Sequence, residues 1–239
     1  MSMQVVNPAT GELVREYEET TAEAVDEIIQ STHETFLEWR RTDFDHRAML
    51  LRRAAQILRE RTDLYAALMT EEMGKVIVEG RAEVQKCAWV CDYYADNAES
   101  FLTREMVETD AKKSFVSYQP IGIVLAVMPW NFPLWQVFRF AAPALMAGNA
   151  GILKHASNVP GCALAIEEVF RDAGFPEDLF RTLLIGGGKV ARVIENPLVR
   201  AATLTGSTPA GQAVAAKAGE MIKKTVLELG GSDPYVILE

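Results

Sequence analysis

Apolar residues recur along this chain with two different periods, and the change from one to the other divides it. Between residues 20 and 102 they fall three and four apart, the spacing of helices with one buried face. Val25, Ile28, Ile29, Thr32 and Phe36 make the first such stripe, and Thr20 with Glu23 forms a capping box in front of it. A second stripe, Leu50, Leu51, Ala54, Ile57 and Leu58, predicts a helix from near Asp45 that shows a row of arginines to water. A third helix is predicted over 62–73, with Gly74 placed to end it. The fourth runs from about Val76 to Leu102, with Val84, Cys87, Cys91, Tyr94 and Ala98 along one side. Ahead of them, residues 4–18 carry an Asn-Pro and a Thr-Gly turn signal between short β-favouring pieces, which predicts a small edge strand or hairpin.

From residue 122 the pattern becomes that of a parallel sheet. Ile123 to Val127 is apolar without alternation, as in a strand covered on both faces, and Gly151 to Leu153 looks like its neighbour. With the helix between them, 122–154 reads as one βαβ unit. The alternation continues with a helix over 160–173, a strand Leu183 to Ile185, a helix to about Glu195 and a strand Ala201 to Thr205. A further helix, a strand around Val226 and a strand-like run Tyr235 to Leu238 complete it. Residues 103–121 interrupt: a charged stretch leads into Phe115, Val116 and Tyr118, expected to leave the helical layer as a strand or hairpin. An uncovered strand invites pairing, so another subunit is a candidate cover. The fold class expected is α/β, a Rossmann-like parallel sheet with flanking helices, preceded by a helical layer and a protruding hairpin.

Ligands of open α/β sheets bind at the carboxyl ends of the strands, which directs attention to the turns there. Pro129 and Pro133 bracket Trp130, Asn131 and Phe132 in what should be a stiff elbow. The Asn131 amide could stabilise a developing oxyanion, and Lys154 could hold the hydroxyls or phosphate of a nucleotide. Asparagine is equally a common turn residue and a strand-end lysine is usually solvated, so this stretch alone leaves both readings open. Gly186 to Gly188 open a helix but match neither the P-loop nor the GxGxxG spacing. In GSTPAG, residues 206–211, backbone amides and the Ser207 hydroxyl suit a phosphate as well as they suit an ordinary helix cap. In VLELGG, residues 226–231, Glu228 interrupts an apolar strand. A buried carboxylate either finds a partner or becomes a stronger base, which makes it a candidate general base.

Composition narrows the classes. The 239 residues suffice for one large α/β domain, and 49% of them are hydrophobic. A net charge of −9, from 33 acidic and 24 basic residues, leaves no basic stripe for nucleic acid. No apolar run is long enough to span a membrane and no signal core precedes the first strand, so the expectation is a soluble, cytoplasmic protein without membrane or nucleic-acid partners. The three cysteines are too few and scattered for a disulfide framework. Cys87 and Cys91 share a helical face, but no histidine spacing completes a metal site, so a core role is expected for them.

Together MPWNFP (128–133), ILK (152–154), TGSTPAG (205–211) and LELGG (227–231) resemble the aldehyde dehydrogenase superfamily, and LKHASNVPGCA with ELGGSDP resembles its succinate-semialdehyde dehydrogenases. The resemblance covers the whole chain, 1–239, as an amino-terminal cofactor-binding domain with 103–121 in an oligomerisation hairpin. It implies NAD or NADP as cofactor, a small aldehyde as substrate and a homo-oligomer. It further implies Asn131 as oxyanion donor and Glu228 as general base. Lys154 would anchor the adenosine ribose and Gly206 and Ser207 the pyrophosphate, with Gly211 closing the same motif. Trp130 and the backbone of Leu229 would lie near the nicotinamide. Many NAD-preferring members carry an acidic residue where this chain has Ser157, so NADP should be accepted. The family's nucleophile is a cysteine beyond the glutamate, and no cysteine here follows Cys162. The expectation is that the catalytic domain is absent and that the 239-residue chain alone is inactive.

Overall fold

The computed structural model describes residues 2–238. An antiparallel hairpin, β1 (Ser2–Val6) and β2 (Leu13–Glu18), leads into four helices, α1 (Ala22–Trp39), α2 (Phe44–Glu60), α3 (Thr62–Met73) and α4 (Ile77–Phe101). Gly74 ends α3 in the left-handed conformation at φ 77°. Two details of the helical layer differ from expectation. The cap of α1 is Thr21, whose hydroxyl accepts from the Ala24 amide. Thr20 instead accepts from the Leu184 amide and donates its own N–H to the Leu184 carbonyl, a tertiary contact. The arginines of α2 do not all face water. Arg47 is buried and donates to the carbonyls of Trp39, Thr42 and Met146, tying the α1–α2 turn to the end of a later helix.

A short hairpin, β3 (Glu105–Met106) and β4 (Phe115–Val116), stands out with Met106, Phe115, Val116 and Tyr118 exposed. The rest alternates: β5 (Ile123–Met128), α5 (Trp135–Met146), β6 (Ala150–His155), α6 (Pro160–Asp172), β7 (Phe180–Thr182), α7 (Val190–Glu195), β8 (Val199–Gly206), α8 (Thr208–Glu220) and β9 (Lys224–Leu229). The five strands form one parallel sheet in the order β7-β6-β5-β8-β9. β5 and β6 lie at its centre and are buried almost throughout, which is why they carry no polar alternation. Layers α2 to α4 cover α5 and α6, with Cys87 and Cys91 inside the core.

Two strand assignments need correction. β7 is Phe180–Thr182 and not Leu183–Ile185, because Gly151–Leu153 of β6 takes the earlier residues as partners while Leu184 turns away to bond Thr20. Tyr235 to Leu238 forms no strand: among the described residues nothing pairs with it, and all four side chains are exposed. Glu228 is exposed as well, because β9 is the edge of the sheet and α8 packs on it from the face that Leu229 occupies, leaving the face of Glu228 open. Among the described residues no helix is long and apolar enough to cross a membrane.

Candidate functional site

The strand order reverses direction between β5 and β8, since the chain leaves β5 toward β6 and β7 and returns to β8 on its other side. The carboxyl ends of β5 and β8 therefore flank the crevice where such sheets take ligands. The elbow follows β5 and the GSTPAG turn follows β8, so the topology brings the two motifs together.

Alternate residues of these strands point to opposite faces and line two different hollows. On the α7–α8 face a groove of about 470 Å³ is lined by Val127, Leu204, Val190 and Val214, with Lys154 and Gly187 and Gly188 at its wall. Lys154 is only 7% exposed, and burial pulls its ammonium below the ordinary lysine value with no acid opposing the shift. On the α5 face a larger hollow of about 570 Å³ is lined by Met128, Thr203, Thr205 and Glu228 together with Gln136 and Arg139 of α5. Glu228 sits beside Thr205 in register. The Arg139 guanidinium makes one 3.4 Å hydrogen bond, to Thr205 Oγ1, and is otherwise open to this hollow. Neither Arg139 nor Gln136 was flagged by the sequence, because two polar residues on a helix read as its solvated face.

Of the remaining expected site residues, Trp130 and Asn131 are exposed on the elbow, and Ser157 is exposed after β6. Ser207 is the exposed cap of α8, its hydroxyl accepting from Ala210 at 3.5 Å, and Gly206 ends β8 beside Leu229. Gly211 does not reach the groove surface. It is buried under Leu229, and a Cβ there would lie 2.4 Å from Leu229 Cδ2, so its service is close packing of α8 on β9.

Three buried polar residues hold the elbow, and none was read from the sequence as part of the site. Glu83 of α4 accepts through Oε1 from the amides of Leu134 and Trp135, both at 2.9 Å. Lys75 pairs with Glu83 Oε2 at 2.5 Å, donates to the Asn131 carbonyl at 2.8 Å and lies 3.9 Å from the Phe132 ring centre. His155 bridges the end of β6 to the Pro133 carbonyl at 2.8 Å through Nε2, while its Nδ1 accepts from the Ala156 amide. Those roles require the neutral ring with the proton on Nε2.

Burial lowers the His155 imidazole to about 4. Its folded value is thus below the ordinary unfolded value near 6.5, so the stability it contributes is present above that value and is lost as pH falls toward 4. Between pH 7 and pH 5 this loss should be about 2 kcal/mol, at about 1.4 kcal/mol per unit below 6.5. Urea unfolding of the protein and of His155→Gln at both pH values checks it. The variant, unable to charge, should lose about 2 kcal/mol less than the parent.

The sequence model of the aldehyde dehydrogenase family matches residues 1–239. The chain belongs to the aldehyde dehydrogenase family. It is 56% identical over 239 residues to a probable succinate-semialdehyde dehydrogenase [NADP(+)] of Synechocystis, covering 100% of this chain and 53% of that protein. It is 52% identical over 241 residues to the succinate-semialdehyde dehydrogenase [NADP(+)] of Mycobacterium leprae, with the same coverage. The chain thus spans about half the length of the curated relatives it matches. Among solved aldehyde dehydrogenase structures, the succinic semialdehyde dehydrogenase of Streptococcus pyogenes in complex with NADP+ superposes with a TM-score of 0.96 at 38% identity. That superposition covers 99% of this chain and 52% of the other. The expected family and α/β architecture both hold.

Proposed function

We propose that this chain is the cofactor-binding part of an NADP-dependent aldehyde dehydrogenase that oxidises a short aldehyde bearing a carboxylate, with succinate semialdehyde the first candidate. The observation that carries the reading is the pair of hollows on opposite faces of β5 and β8, one holding Lys154 and the other Glu228 and Arg139, whose walls include the last residues of β5, Val127 and Met128, directly before the elbow. The groove fits a nucleotide: its apolar walls suit a purine, and a buried, unopposed ammonium suits ribose hydroxyls or phosphate. A bound nicotinamide supplies the hydride acceptor. Ser207 and the start of α8 offer amides to a pyrophosphate at the rim.

The chain's own groups then act around the carboxyl ends of β5 and β8. The Asn131 amide donates to the oxygen that gains charge as the aldehyde carbon becomes tetrahedral. Glu228, exposed in the wider hollow, is free to take a proton from a water. Arg139 opens to the same space, and its planar fork suits a substrate carboxylate. The attacking thiolate is assigned to none of Cys87, Cys91 and Cys162. All three are buried and burial pushes their thiols up. This chain by itself is accordingly expected not to oxidise aldehydes. The exposed β3–β4 hairpin supports a homo-oligomer in which it extends a neighbour's sheet.

Cofactor choice tests the reading most simply. Ser157 places an exposed hydroxyl, not a carboxylate, three residues after Lys154. Ser157→Glu is expected to weaken NADP binding tenfold or more, about 1.4 kcal/mol of like-charge repulsion, while NAD binding changes little. Calorimetric titration of the parent and of Ser157→Glu with both nucleotides reads this. An equal effect on NAD and NADP would remove Ser157 from the 2′-phosphate site.

A further inference from the structure

The elbow that carries Asn131 is held from below by groups that come from a distant part of the chain. Lys75 follows α3, Glu83 lies on α4, and both side chains are among the most enclosed charges of the protein, 5% and 1% exposed. A lone buried charge is expensive, and a pair repays its desolvation only when its remaining hydrogen bonds are met. Here the elbow meets those of the Lys75 ammonium and of Glu83 Oε1, while Glu83 Oε2 faces Lys75 and has no hydrogen-bond partner among the described residues. The Asn131 carbonyl and Phe132 ring take up the Lys75 ammonium, and the Leu134 and Trp135 amides, which open α5 without any side-chain cap of their own, take up the Glu83 carboxylate. The pair is therefore bonded to residues on both sides of the Phe132–Pro133 step. The Asn131 backbone carbonyl is thus held by Lys75 from one side of that step, and the start of α5 by Glu83 from the other.

We propose that Lys75 and Glu83 are positioning residues for Asn131: the buried ion pair, bonded to both ends of the elbow, sets the orientation of the oxyanion-donating amide without touching substrate or cofactor. This rests on the reading of Asn131 as that donor. The nucleotide groove lies on the α7–α8 face and includes neither residue, so the two functions are separable.

Lys75→Met/Glu83→Gln removes both charges together and leaves no unpaired ion to unfold the chain, whereas Lys75→Met alone strands Glu83. On the 239-residue chain, the double variant should bind NADP within twofold of the parent. Its Leu134 and Trp135 amides should exchange with solvent tenfold or more faster, and its Asn131 side-chain amide resonances should move. Unchanged exchange and unchanged Asn131 resonances, with NADP binding intact, would overturn the proposal. Lys75→Arg, which keeps a cation for Glu83 and the Asn131 carbonyl, should restore more of the parent's exchange protection than Lys75→Met does; equal behaviour of the two also counts against it. At the protein's natural length, aldehyde turnover separates the two readings. If Asn131→Ala leaves kcat unchanged while the exchange and resonance shifts occur, the donor role fails and the clamp stands. If Asn131→Ala lowers kcat and the double variant does not, the clamp fails and the donor role stands.

Discussion

Replacing Lys154 by methionine is expected to weaken NADP binding about 10- to 100-fold, the 1.5–3 kcal/mol carried by hydrogen bonds to a charged group. The same substitution is expected to raise resistance to unfolding. The two signs follow from one fact. Lys154 is buried at the carboxyl end of β6, and desolvation alone lowers its ammonium from the ordinary value. A group whose charged form is disfavoured by folding subtracts from stability while it remains charged, below its folded value. Methionine keeps an apolar stem on the wall that Lys154 shares with Val127 and Leu204 and carries no charge to desolvate. Calorimetry with NADP and thermal unfolding of the unliganded chain give the two readouts. A variant that binds normally would show that the groove is not the nucleotide site. A variant that binds weakly and melts lower would mean that Lys154 is structural.

The second large effect concerns Asn131. Loss of one oxyanion donor typically costs about 10²- to 10³-fold in kcat, so Asn131→Ala should lower aldehyde oxidation by that factor at the protein's natural length. The substrate KM should move far less, because the donor acts on charge that develops only as the carbonyl carbon becomes tetrahedral. The Asn131 carbonyl, not its side chain, receives Lys75, so the alanine variant keeps the elbow's anchor. A drop in kcat with an unchanged amide-exchange pattern at Leu134 and Trp135 would assign the effect to the lost amide. A small change in kcat would return Asn131 to its role as a turn residue.

Much of the architecture was legible because local chemistry and tertiary placement agree. β5 and β6 are apolar on both faces since both are covered, and Gly74 ends α3 since only a residue tolerant of positive φ can sit there. The failures come from tertiary context: a partner far along the chain in two cases, and an open edge in a third. Thr20 and Thr21 are equally good caps, and a bond to Leu184 decides which one is free to serve. β7 begins at Phe180 because of its register with β6, which no local pattern encodes. Glu228 was expected inside because it interrupts an apolar strand, but β9 is an edge and leaves it exposed.

The candidate site divides in the same way. The turns after β5, β6 and β8 are punctuated by proline, glycine and serine, so Asn131, Lys154 and Ser207 stood out as candidates, but only the family resemblance gave them roles. Lys75 and Glu83 lie 56 and 51 residues before the elbow atoms they bond. In sequence they are two more charges in a helical region. Arg139 is hidden for a related reason: it faces a hollow whose floor, Thr205 and Glu228, is supplied by strands that come much later in the chain.

The central claim is that the Lys154 groove holds the nucleotide and delivers it to the elbow. Its most direct test is NADP titration of this chain followed by residue-resolved amide shifts. The account predicts saturable binding, with shifts at Val127, Lys154, Gly187 and Ser207 and at Trp130 on the elbow, all lost in Lys154→Met. Saturable binding with shifts elsewhere, or binding indifferent to Lys154→Met, would contradict it.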